Sequence, residues 1–120
     1  MVRRKVPRQG DVYWIDPNPV AGREMAGRHR FVVITSQQIN VLGVSLTVPV
    51  ASAGAFAREY GLGVVVAGHD TNGLAVCNQV RSFDLDQRIK EGSAKFIESL
   101  DKTTTNDIVS KVMSIIDLQD

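Results

Sequence analysis

Three short runs restrict the fold most: residues 31–35 (FVVIT), 44–50 (VSLTVPV) and 62–68 (LGVVVAG). Each is dense in β-branched side chains, the pattern of a buried strand rather than a helix. Residues 11–16 (DVYWID) alternate and predict a further strand. Asp16-Pro17-Asn18-Pro19 ends it, because proline lacks the backbone donor and fixes φ. Pro49 inside the 44–50 run implies an edge or a bulge. Residues 74–85 (LAVCNQVRSFDL) read as one long strand bent near Asn78-Gln79, and residues 95–100 (KFIESL) as a last strand. Residues 36–43 suit one helical turn closed by Gly43, and residues 86–91 a short helix before Gly92. Residues 51–61 form a small-residue loop that is long for a compact domain. The tail is the clearest helix. Asp101 or Thr103 caps it, and Ile108, Val109, Val112, Met113, Ile115 and Ile116 recur on one face. The class is mainly β (α+β): a small antiparallel barrel or β-sandwich with a C-terminal helix packed on it.

The 120 residues suit a single domain, with residues 1–9 as a basic N-terminal extension. No apolar run approaches the ~18 residues of a membrane span, and the basic N-terminus lacks the apolar stretch of a secretory signal. One cysteine, Cys77, and two histidines fit a reducing cytoplasm and supply no structural zinc site. Net charge is only +1, but it is unevenly spread. Residues 1–30 hold seven Lys/Arg against three Asp/Glu, and residues 91–120 hold three against six. A basic first quarter suggests a local anion-facing surface. Within it, residues 22–30 (GREMAGRHR) place three arginines, a histidine and a glutamate between the first two strands, with glycines as joints.

The order GDVYWID, GREMAG, FVVIT, LTVPV, GLAVCNQVRSFDL resembles the MazF/PemK family of toxins from bacterial toxin–antitoxin pairs, over roughly residues 8–117. The His29-Arg30 pair is similar to the chromosomal PemK-like branch. The resemblance implies an SH3-like barrel related to the gyrase poison CcdB. It also implies a homodimer and a sequence-specific, metal-independent endoribonuclease that cuts single-stranded mRNA and stops growth, with no cofactor. The implied partner is a cognate acidic antitoxin (PemI/MazE-like) whose disordered C-terminal segment blocks the RNA groove.

Metal-free RNA cleavage needs a base for the ribose 2′-OH, a cation for the phosphorane oxygens and an acid for the leaving 5′-oxygen. Arginine matches phosphate geometry, and histidine or a carboxylate serves as base. By resemblance the catalytic set is Glu24, His29, Arg30 and Ser52. Many family members carry Arg-Pro before the second strand; here His29 and Arg30 occupy those positions, and which of Arg28, His29 and Arg30 is acid, base or phosphate ligand stays open. Glu24 is either the partner of a loop arginine or a base. A Thr-Ser or Thr-Thr pair is usual where this chain has Ala51-Ser52, so Ser52 is the remaining hydroxyl. Arg23, Arg28, Phe56, Asn78, Gln79 and Arg81 form the RNA-binding set. Phe56 is the stacking candidate, Asn78 and Gln79 offer edges to a splayed base, and Arg81 has an ion pair with Asp84 as its alternative. Two rival readings remain: a CcdB-like poison of gyrase or another protein target, and a non-cleaving member that binds RNA or antitoxin.

Overall fold

The structure, a computed structural model, describes residues 6–52 and 61–117. Its strands are β1 (Asp11–Ile15), β2 (His29–Val33), β3 (Ser45–Ala51), β4 (Gly63–Ala67), β5 (Asn72–Val76), β6 (Arg81–Phe83) and β7 (Ala94–Ser99). Its helices are α1 (Gln37–Asn40), α2 (Leu85–Glu91) and α3 (Lys102–Ile116). All strands pair antiparallel in the order β4-β5-β3-β2-β1-β7, with β6 also on β3. Among the described residues no helix is long and apolar enough to cross a membrane.

The pleat explains why this sheet has two cores. Successive side chains on a strand face opposite ways. Val12, Val32, Val48, Val50 and Ala75 therefore gather on one face, where Ile108 and Val112 of α3 cover them. Tyr13, Ile15, Phe31, Val33 and Phe83 gather on the other, joined by Leu85 of α2 and Ala94. Phe31 and Phe83 meet edge to face with centroids 5.1 Å apart. Full burial of a side chain such as Ile108 contributes about 1.5–3 kcal/mol. Burial, with the Asp11 carboxylate nearby, pushes the Tyr13 phenol up to about 12. Burial likewise pushes the Cys77 thiol up to about 11, against a small downward pull from Lys111, so Cys77 stays a neutral core thiol.

The barrel is not closed by backbone pairing. Its two end strands meet instead through one carboxylate. Glu98 on β7 accepts from His69 N at 2.8 Å and Asp70 N at 2.7 Å, both in the β4–β5 turn. That turn is tightened by Gly68 N donating to Thr71 O at 2.7 Å.

Three local expectations change in the structure. The strand expected over 74–85 breaks after Val76 and resumes at Arg81. Pro49 sits on a central strand, yet costs no ladder on the side where the break falls. There β3 pairs with β6 up to Thr47 and with β5 from Val50, leaving Pro49 in the gap. The terminal helix buries a narrower stripe than its pattern suggests. Thr105, Ile108 and Val112 are buried, while Met113 and Ile116 are 61% and 71% exposed, because α3 leans on the β4 edge. Asp101 and Gly92 act as the sequence expects, Asp101 accepting from Thr104 N and Gly92 ending α2 at φ +82°, while Asp84 adds a cap by accepting from Gln87 N.

Burial raises the Glu98 carboxyl, but the Thr71 hydroxyl, which makes no strict hydrogen bond, and the amides of Asp70, His69 and Thr71 outweigh it and hold the group below its ordinary 4.5. A depressed carboxylate stabilises the fold above its unfolded value, and the contribution is lost as pH falls through the folded value. Glu98→Ala is expected to lower stability by about 1 kcal/mol at neutral pH. The gap to the parent chain should shrink below pH 4.5, which urea denaturation across pH will read. A pH-independent gap would contradict the seam.

Candidate active site

The site forms where β1, β2, β3 and β5 end on one side of the sheet. A cleft of about 430 Å³ is lined by Trp14, Arg28, His29, Arg30, Val50, Ala51, Ser52 and Asn72. The register makes this grouping. Ile15 pairs with His29, Trp14 with Arg30, and Arg30 with Val50, so the ends of three strands lie side by side.

His29 is the first residue of β2, and its Nε2 lies 2.9 Å from Ala26 O. A carbonyl only accepts, so Nε2 holds a hydrogen in either charge state. Nδ1 is therefore the ring nitrogen whose lone pair is left to accept. The ring also meets Phe31 edge to face at 6.5 Å. Arg30 extends over the Trp14 ring, with its guanidinium carbon 5.2 Å from the centroid. Arg28 and Ser52 complete the polar lining, and the Ala51 position offers only a methyl group.

Asn72 is the cleft residue that sequence reasoning missed. In the sequence it falls within residues 69–73 (HDTNG), whose composition is that of a turn. Gly73 brings it in. At φ +150°, Gly73 lies so close to β3 that a Cβ there would stand 2.4 Å from Ala51 O. Only glycine allows that approach without strain. It draws the start of β5 against the end of β3, and Asn72 and Ser52 line the same cleft.

The remaining expected residues take other places. Glu24 Oε1 accepts from Ala21 N at 2.9 Å, and Glu24 N donates to Ala21 O, so the carboxylate ties a turn within the loop. The Arg23 side chain is exposed, and its carbonyl accepts from Gln79 Nε2 at 3.2 Å. Asn78 is exposed in the turn between β5 and β6. Arg81 stands behind the loop, donating to Pro17 O at 3.4 Å and lying 5.3 Å from the Phe83 centroid. Asp84, its expected ion-pair partner, caps α2. Phe56 lies outside the described residues.

The loop is thus braced from beneath. Arg88 donates to Asp16 O at 2.8 Å and also stacks on Phe83, with 4.7 Å to the centroid. Met25 packs on Leu74 and Val76. Arg81, Arg88, Gln79 and Met25 fix the segment that delivers Arg28 and His29. Among the described residues, no three His, Cys, Asp or Glu side chains come together to hold a metal ion.

Residues 8–116 match the family described as PemK-like, MazF-like toxin of type II toxin–antitoxin system. The chain is 30% identical over 120 residues to the endoribonuclease PemK of Escherichia coli, spanning 97% of this chain and 87% of that protein. It is 38% identical over 84 residues to the endoribonuclease toxin MazF of Escherichia coli K12, spanning 68% of this chain and 72% of that one. The crystal structure of MazF from Deinococcus radiodurans shares the fold at a TM-score of 0.80 and 24% identity, over 96% of this chain and 100% of that chain. A chain of the MazE–MazF crystal structure (Form-II) from the same organism gives 0.75 and 24%, over 97% and 100%.

Gly73→Ala is expected to destabilise the chain by about 1–3 kcal/mol, since φ +150° strains any side chain and the Cβ meets Ala51 O. Guanidinium denaturation will measure it. An unchanged midpoint would mean that β5 does not press on β3 as described.

Proposed function

The chain belongs to the PemK-like, MazF-like toxins of type II toxin–antitoxin systems, and we propose that its cleft cuts single-stranded mRNA by metal-independent attack of the ribose 2′-OH. It is an endoribonuclease toxin, as its curated relatives are. The observation that carries the finer reading is the cleft itself. Two guanidiniums and an imidazole with a fixed tautomer face one groove beside a serine hydroxyl.

Each group has a role that its chemistry suits. His29 Nδ1 takes the 2′-OH proton as the 2′-oxygen bonds to phosphorus. Arg28 and Arg30 neutralise the charge gathering on the phosphorane oxygens, the work of preorganised donors in a site of this type. Ser52 and Asn72 bond phosphate or sugar oxygens and hold the scissile linkage in line. The 5′-oxygen leaves with a proton from water in the open cleft. The product is a 2′,3′-cyclic phosphate.

Two partnerships belong to the same reading. The partner antitoxin of a type II system presents an acidic segment, and a cleft with Arg28 and Arg30 at its wall complements it. The chain acts as a homodimer. Apolar side chains left at the surface, among them Leu42 (80% exposed), Val41 and Ile116, are surfaces that a second copy would cover.

Arg30→Ala should lower kcat for RNA cleavage on the order of 100- to 1000-fold, as loss of a transition-state donor does. His29→Ala should cost on the order of 100- to 10,000-fold, as loss of a general base does. Single-turnover cleavage with circular dichroism as the fold control will read both. Wild-type rates in either variant would remove that residue from the chemistry.

A further inference from the structure

We propose that Trp14 is a positioning residue that holds the plane of the Arg30 guanidinium, a role that rests on the nuclease reading of the cleft. Trp14 and Arg30 are direct partners across the β1–β2 ladder. Directly opposed side chains on one face of an antiparallel pair are neighbours. The guanidinium carbon lies 5.2 Å from the indole centroid, and both residues line the cleft. Arg30 Nε is buried and has no hydrogen-bond partner among the described residues.

These facts join in one account. A guanidinium is planar, and stacking on an aromatic face fixes its orientation as well as its place. A free arginine side chain loses much rotamer freedom when it engages a ligand. Here the ordering is already done by the strand pairing and the ring. The Nε donor is already out of water and unpaired, a state that buried donors rarely keep. A phosphate oxygen arriving at Arg30 meets a guanidinium that is already ordered and partly desolvated.

The same geometry narrows what the ring itself does. An indole in an RNA cleft is an obvious platform for a base. The face of Trp14 that Arg30 covers is closed to one. Trp14 thus acts through Arg30 and has no contact with the reacting atoms.

Trp14 is the only tryptophan in the chain, so tryptophan emission reports on the surroundings of this ring. Arg30→Ala should change the intensity or wavelength of that emission in the free protein. A single-stranded 2′-deoxy oligonucleotide, which has no attacking hydroxyl, should perturb the emission of the parent chain and perturb it less in Arg30→Ala. In RNA cleavage, Trp14→Leu should lower kcat on the order of 10- to 100-fold, the scale of an active-site group misplaced by about 1 Å. Its KM should stay within about twofold, since a transition-state contact is what weakens. Trp14→Phe keeps an aromatic face and should stay within about threefold of the parent chain. Trp14→Leu added to Arg30→Ala should cost nothing further, because residues acting as a unit are not additive.

A raised KM with kcat intact would make Trp14 a base platform and overturn the proposal. So would a fully additive double mutant, or emission indifferent to Arg30→Ala. If the parent chain cuts no RNA, the nuclease reading fails, and the emission of Arg30→Ala by itself decides for or against the stack.

Discussion

The register of β1 against β2 is the constraint on which the rest depends. Val12 faces Val32, Tyr13 faces Phe31, Trp14 faces Arg30 and Ile15 faces His29. A slip of one residue would turn every side chain to the other face. Slipping β1 in this way would put Val12 into the aromatic core and turn Tyr13 to the α3 side. The same slip would part Arg30 from Trp14 and move His29 off the end of the ladder. Core packing and site geometry are thus set by one pairing, and the hydrophobic penalty for error protects the chemistry.

The loop between these strands is held by groups of several kinds. Arg88 and Arg81 donate to the carbonyls of Asp16 and Pro17 while both stack on Phe83. Gln79 holds Arg23 O, Met25 packs on Leu74 and Val76, and Glu24 ties its own turn. The cations nearest the sheet hold the backbone, and those nearest the cleft remain for the ligand. Glu98 does the corresponding work on the far side, fixing the β4–β5 turn that leads to Asn72. In this arrangement the elements bearing Arg28, His29, Ser52 and Asn72 are each fastened at a stem.

Much of this was legible in the sequence because its signals are local. The β-branched runs gave strands at β2, β3 and β4, Asp101 and Gly92 marked helix ends, and the charge-rich loop pointed to Arg28, His29 and Arg30. What stayed hidden depends on contacts across the chain. The break between Val76 and Arg81 follows from β3 changing partners around Pro49, which no window of sequence reveals. Asn72 enters the cleft because Gly73 presses on Ala51 O. Gln79 and Arg81 also bond the loop carbonyls of Arg23 and Pro17, contacts that no local pattern announces. Trp14 lies within a strand pattern that suits the core or a dimer interface, and only the register shows it beside Arg30.

The central claim is that this cleft cuts RNA with protein groups alone. The most direct measurement is incubation of the purified chain with a long single-stranded RNA in excess EDTA, with both new ends mapped. The account predicts cuts at a short recurring motif, leaving 2′,3′-cyclic phosphates and 5′-hydroxyls. Cleavage that appears only with a divalent metal and leaves 5′-phosphates would contradict it, as would intact RNA beside a folded chain.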